Sequence, residues 1–296
     1  MTNQQEQTKS FFKGHAEAWQ KKAENSLYTV INDRHRAAHK TLDLYPTGAR
    51  LLDVGCGTGQ LAIEAALKNF VSVGIDFAEE MVTIARKNAA DTGSKASFES
   101  GSIFDYHPSQ KFDVISAMGF IEYISLEQLN ELLGFSFDHL CDGGCISIGS
   151  RNRLFNVTTY NEYTKIEQKL GTIDKLMQEA NIAIISSNID EYLHNIRSFI
   201  SDTEFVHNET HPITGIDVQT RYQFTPSDLL EKVEKAGFKV TNIYPVNYHA
   251  FNPAVENAEI ISIKAEIAEL VSVKHQSDFR LLPNSSSFVL EAKKCP

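Results

Sequence analysis

The sequence predicts an α/β fold on a mostly parallel sheet, and three observations predict it. Residues 51–62, LLDVGCGTGQLA, run from an apolar stretch through three alternate glycines into a helical apolar pattern of Leu61, Ala62, Ala65, Ala66 and Leu67. An aspartate, Asp76, closes the next apolar run, 71–75. Further apolar runs at 96–100, 112–116 and 145–150 then alternate with helical stretches. That alternation is the mark of parallel strands covered by helices.

Leu51, Leu52 and Val54 read as a strand buried on both faces. Gly55, Gly57 and Gly59 follow it, and a helix starts behind them. Without a Cβ, a glycine lets backbone N–H groups approach a ligand closely. The helix N-terminus adds unpaired N–H donors. Together they make a cradle for a nucleotide-like molecule. A dinucleotide turn asks for G-x-G-x-x-G. Here the register is G-x-G-x-G, and Gln60 stands where the third glycine of that pattern would be.

The string D-V-G-C-G-T-G closely resembles the first motif of class I S-adenosylmethionine methyltransferases, of the broad group with the type 11/type 12 methyltransferase domain. The resemblance implies a Rossmann-like seven-stranded mixed sheet with helices on both faces. It implies S-adenosylmethionine as cofactor and S-adenosylhomocysteine as product, with no metal. It places Asp53, Gly55, Cys56, Gly57 and Gly59 around the methionine end of the cofactor. Asp76 would accept both ribose hydroxyls, Phe77 or Met81 would cover the adenine face, and Ser102 and Ile103 would meet its edge. Met118, Gly119 and Phe120 would lie along the methionine moiety. Residues 51–149 carry most of the likeness, and 224–244 resume it.

The rest of the chain frames that core. Residues 1–10 are polar and expected to be mobile, with Phe11, Phe12 and Trp19 as anchors behind them. Residues 27–44 read as a helix with Val30, Ile31, Arg34, Ala38 and Leu42 on one side. Arg34, His35, Arg36 and His39 form a polar run on it, read either as a solvated face or as part of a lid that brings Tyr28 to the cofactor. The organisation is thus a helical lid at 1–46, the cofactor-binding core at 47–150, a cap insertion at 151–223, and completion of the core at 224–296 with a second insertion at 245–286. In the first insertion, residues 160–181 read as helical and 182–187 as strand-like; in the second, 254–273 read as a helix. Residues 225–230, TPSDLL, start a helix with Ser227 or Asp228 as its cap, 238–244 are a strand, and 287–292 the last strand, antiparallel in this family. Both insertions leave the edge where strand carboxyl ends emerge, which is where ligands bind.

Bulk properties narrow the function. The chain has 296 residues, 42% hydrophobic and 22% charged, ordinary for a globular protein. A net charge of −10 opposes a partner that tracks nucleic-acid phosphates. The four cysteines form no C-x-x-C pair, so no zinc site or disulfide framework is legible and a reducing cytoplasm fits. No signal peptide or membrane span is legible. The expected partner is a small-molecule acceptor, with no nucleic acid, no membrane, and a homodimer left open.

Methyl transfer asks for alignment of a nucleophile and removal of a proton where one is present. His249, just beyond the sixth strand, is the candidate general base, with His207 and His211 of the first insertion behind it; His139 lies at the wrong end of its helix. Glu122 reads as a base or as a helix-start charge. Arg151 and Arg153 could meet an anionic acceptor or pair within the cap. The reading is methyl transfer to a small molecule, at oxygen; alternatives are transfer to nitrogen or carbon, a non-catalytic cofactor-binding module, and an NAD-dependent dehydrogenase.

Overall fold

A computed structural model describes residues 3–24, 29–200, 222–253 and 257–295. Seven strands make one sheet: β1 (Arg50–Val54), β2 (Val71–Asp76), β3 (Ser97–Ser100), β4 (Phe112–Met118), β5 (Leu140–Arg151), β6 (Phe238–Tyr248) and β7 (Ser285–Lys294). Their order is β3-β2-β1-β4-β5-β7-β6. The first five pair in parallel, and β7 runs antiparallel to both β5 and β6. The order reverses between β1 and β4, so a crevice opens at their carboxyl tips. Register brings Val54 beside Ile75, and Met118 beside Gly149, at that one edge.

The strands are apolar because helices cover both faces. On one side, Leu52, Ile115, Ile146, Ile148 and Leu290 are fully buried with Leu129, Leu132 and Leu133 of α5 (Leu126–His139) and with the helices after β5. On the other, Leu51 and Val114 pack with Ala38 and Leu42 of α2 (Thr29–Leu42) and with Leu61 and Ala65 of α3 (Gln60–Leu67). α5 starts on a capping box in which Ser125 and Gln128 each satisfy the other's backbone N–H.

Several expectations change. The polar start of the chain is helical from its third residue, in α1 (Asn3–Glu24), which packs on α4 (Glu79–Thr92). The polar run on α2 is not a solvated face: Arg34 pairs with Glu122, His39 with Glu64 and Arg36 with Glu269. The strand-like residues 182–185 are the last turn of α8 (Ile173–Ile185), preceded by α6 (Phe155–Thr158) and α7 (Thr164–Leu170). Leu176, Ala180 and Ala183 bury one face of α8, and that packing overrides the β preference of its isoleucines. A further helix, α9 (Ile189–Ile200), follows. Thr225, not Ser227 or Asp228, caps α10 (Pro226–Lys235): its hydroxyl accepts from Asp228 N–H at 3.1 Å. The Ser227 hydroxyl instead donates to buried Glu179 of α8, at 2.7 Å, tying the insertion to the core.

β6 runs to Tyr248, four residues past the expected end, paired with β7 as far as Ser285. Pro245 lies inside it, which an edge strand tolerates because its outer side needs no N–H. The second insertion is therefore shorter than expected, and its helix is α11 (Ala258–His275).

Candidate active site

The crevice at the carboxyl edge is a cavity of about 620 Å³. Its floor is the turn after β1. Asp53, Val54, Gly55, Cys56 and Gly57 all line it, as do Asp76 and Phe77 from the tip of β2. Gly57 has φ +54, and a Cβ there would enter the cavity; among the described residues beyond its chain neighbours, only the Trp19 indole nitrogen would be as near as 3.9 Å. Gly59 does not line it. With φ +88 it is the N-cap of α3, and a Cβ would strike the Phe98 ring and Ala85 at 2.7–2.9 Å. The alternating glycines thus serve two needs: one keeps space for a ligand, the other lets a helix pack on the sheet.

Asp76 is set for hydrogen bonding at the cavity wall. One carboxylate oxygen accepts from Gly57 N–H at 3.0 Å, the other from Ala78 N–H at 2.9 Å. Ala78 is the N-cap residue of α4, so Asp76 braces that helix without occupying the cap position. Burial pushes its pKa up to about 6, against the pull of those two N–H groups. Asp53 is more buried still, and burial together with the Asp76 charge raises it to about 8. No hydrogen bond reaches its carboxyl among the described residues, so a cation in the cavity would find a group ready to ionise.

Met81, Ser100, Ser102, Ile103, Phe104 and Asp105 form the wall beyond β2 and β3. Met81 is also buried core, packed with Ala16 and Ala78. The Ser102 hydroxyl accepts from Phe104 N–H at 3.2 Å, capping the short turn that presents Ile103. Met118, Gly119 and Phe120, after β4, form the opposite wall, and Phe120 lies against Gly55. The roof is α1, through Thr8, Lys9, Phe12 and Trp19. Phe12 meets Trp19 and Tyr123 edge-on, with centroids at 5.7 and 5.4 Å. The sequence offered Phe12 and Trp19 as anchors but gave no sign of what they anchor against. Tyr28, His207 and His211 lie outside the described residues.

The cavity continues past the glycine turn to a second, polar end. There Glu122 is buried, accepting from Arg34 Nη2 at 3.1 Å on one oxygen and from Arg151 Nε at 2.8 Å on the other. Glu122 is both a helix-start charge, in the first turn of the short 3-10 helix Ile121–Tyr123, and an ion-pair partner. Arg153 is turned away: both Nε and Nη2 bond Glu167 of α7, at 2.8 and 2.7 Å, inside the cap. His139 is remote, bonded to Phe135 O at the end of α5.

His249 does line the cavity, half-buried, its ring 4.7 Å from that of Phe155. Its backbone N–H bonds Asn284 O. Nε2 is held by the Asn247 side-chain amide, Nδ2, at 3.1 Å, and the same nitrogen donates to Ser286 Oγ at 2.7 Å. Burial lowers the imidazole pKa to about 4. An unperturbed imidazole titrates near 6.5; here desolvation and Lys264 disfavour the cation, so the ring is neutral at pH 7. His35, also at the wall, is lowered to about 4 in the same way.

Among the described residues no group of three His, Cys, Asp or Glu side chains could hold a metal ion. None of the described helices is long and apolar enough to cross a membrane.

The model of a family described as a methyltransferase domain matches residues 47–198. The Vibrio vulnificus (strain YJ016) ubiquinone biosynthesis O-methyltransferase is 35% identical over 79 residues, 26% of this chain and 34% of the relative. The protein of that name from Paramagnetospirillum magneticum is 31% identical over 133 residues, 44% of this chain and 53% of the relative. The chain thus spans between about a third and a half of these relatives' lengths. Among solved structures, magnesium protoporphyrin IX methyltransferase from Synechocystis PCC 6803, with bound SAH, superposes with a TM-score of 0.58 at 13% identity, covering 99% of this chain and 100% of that one. A putative S-adenosylmethionine dependent methyltransferase from Listeria monocytogenes gives 0.51 at 18% identity, covering 87% and 97%. These likenesses carry the fold.

Proposed function

The chain belongs to the methyltransferase-domain family, and from that premise we propose that it transfers a methyl group from S-adenosylmethionine to an oxygen of a small molecule. The observation that carries this reading is the cavity itself. One end is a G-x-G-x-G turn with Gly57 open to a ligand and Asp76 beside it; the other end of the same cavity is lined by polar side chains. A binding module without catalysis would have no need of the second end. A dinucleotide would need the glycine that Gln60 replaces. Oxygen as the acceptor atom draws support from the named activity of the partial relatives.

The residues present fit the cofactor, since a Cβ at position 57 would fill its cradle. When bound, it supplies a methyl on a positively charged sulfur. Asp53, Gly55, Cys56 and Gly57 would hold the methionine end together with Met118, Gly119 and Phe120. Asp76 would take the ribose hydroxyls, Phe77 and Met81 would flank the base, and Ser102 and Ile103 would meet its edge. Gly59 supports the turn from behind. α1 and α2 would act as the lid, excluding water. The helices after β5 would form the cap, and the free cysteines suit a reducing compartment.

His249 would contact the acceptor as a hydrogen-bond donor rather than as the general base. With the Asn247 amide donating to Nε2, the neutral ring would carry its proton on Nδ1 and have no free lone pair. Its ring protons, followed by NMR, should titrate near pH 4. A midpoint near 6.5 would restore the base.

The function is tested by calorimetric titration with S-adenosylmethionine and with NAD, followed by a screen of hydroxylated and carboxylated acceptors for S-adenosylhomocysteine release. Binding of NAD in place of S-adenosylmethionine would overturn it.

A further inference from the structure

We propose that the acceptor carries a carboxylate and that Arg151 holds it. This rests on the methyl-transfer reading and names the substrate class of the same site. Arg151 ends β5, so its side chain leaves the sheet at the cavity edge, and it lines the cavity. Its Nε donates to Glu122. Nη1 and Nη2 make no hydrogen bond among the described residues, and 31% of the side chain is open. A guanidinium fixed at Nε and free at its outer edge is a pre-oriented fork, matched to the two oxygens of a carboxylate. Little side-chain freedom remains to be lost when an anion arrives.

The charges around it agree. Glu122 lies between two guanidiniums, and Arg34 is the more enclosed of them: Nη2 bonds Glu122 and Ser287, and Nε is enclosed without a partner. Among these three side chains the positive charge exceeds the negative by one; both guanidiniums line the cavity, and Arg151, 31% open against 12% for Arg34, is the more accessible. The buried acids of the cofactor end, Asp53 and Asp76, sit at β1 and β2, with β4 between them and β5. At about 4.8 Å per strand, the two ends are about 10 Å or more apart. An anion can therefore bind Arg151 without facing those acids closely. Ser286, Ser287, Asn247 and His249 border the same end, and Phe155 offers an apolar wall.

The test uses benzoate and its neutral isostere benzamide as probes, by calorimetry, on the free protein and on the protein loaded with S-adenosylhomocysteine. Benzoate should bind at least about tenfold more tightly than benzamide, the effect of one charge-assisted hydrogen bond or more. Arg151→Gln should remove that preference, and Arg151→Lys should restore part of it. Glu122→Gln keeps a side-chain oxygen that can accept from Arg151 Nε while removing the negative charge beside it, so it should keep or strengthen the preference. Equal binding of the two probes to the unaltered protein would overturn the proposal, as would a preference that survives Arg151→Gln. If S-adenosylhomocysteine itself fails to bind, the methyl-transfer reading falls, while the probes on the free protein still report on Arg151.

Discussion

Gly57→Val should abolish S-adenosylmethionine binding while leaving the sheet folded. The new Cβ would project into the cavity, where, its two chain neighbours aside, no described residue comes closer than Trp19 at 3.9 Å, so the collision is with the ligand. The residue also sits at φ +54, where a β-branched side chain costs of order 1–3 kcal/mol. A lowered melting temperature of a few degrees should accompany the loss. Affinity should fall at least about a hundredfold, a modest figure for a steric overlap, since each tenfold is only about 1.4 kcal/mol. Gly59→Val makes the control. Its Cβ would strike Phe98 and Ala85, so it should unfold the α3 packing and lower stability far more than Gly57→Val. Calorimetry and thermal melting on both variants separate the roles. A Gly57→Val protein with unchanged affinity would mean that the turn does not carry the cofactor.

Asp76→Ala should lower affinity for the same cofactor by about ten- to a hundredfold, the loss of a charged acceptor worth roughly 1.5–3 kcal/mol. The carboxylate is already held by Gly57 and Ala78, so it needs little reordering to receive hydroxyls. A pH dependence follows from the same group. Its pKa in the free protein is raised to about 6, and the protonated form is the poorer acceptor. Affinity should therefore decline as pH falls through 6, and Asp76→Asn should flatten that decline. Affinity unaffected by the alanine would leave Asp76 as a brace for α4 alone.

The core was legible in the sequence because its signals are local. A buried parallel strand must be an unbroken apolar run, and the turn after β1 must be small, so 51–62 reveals both. Asp76 was legible because strand ends are. Gly59 misled because alternate glycines look alike in sequence; only the approach of Phe98, from a strand forty residues on, tells them apart. The ends of β6 and α8 were missed for a related reason. Pro245 and the isoleucines of 182–185 speak against their actual states locally, and pairing with β7 or burial of Ala180 and Ala183 decides them. The polar end of the cavity was half legible. Arg151 and His249 followed from their place at the carboxyl edge, but the ion pairing of Arg34 with Glu122 joins residues 88 positions apart. The low pKa of His249 comes from burial under elements distant in the chain.

The chain has one tryptophan, and α1 sets its indole over the turn that would carry the cofactor. The molecule therefore holds an intrinsic optical probe at its own doorway. Occupancy of the turn would alter the polarity around the chain's single indole, which can be excited at wavelengths its tyrosines do not absorb. Ligand binding at the turn would register in that emission, without any label attached.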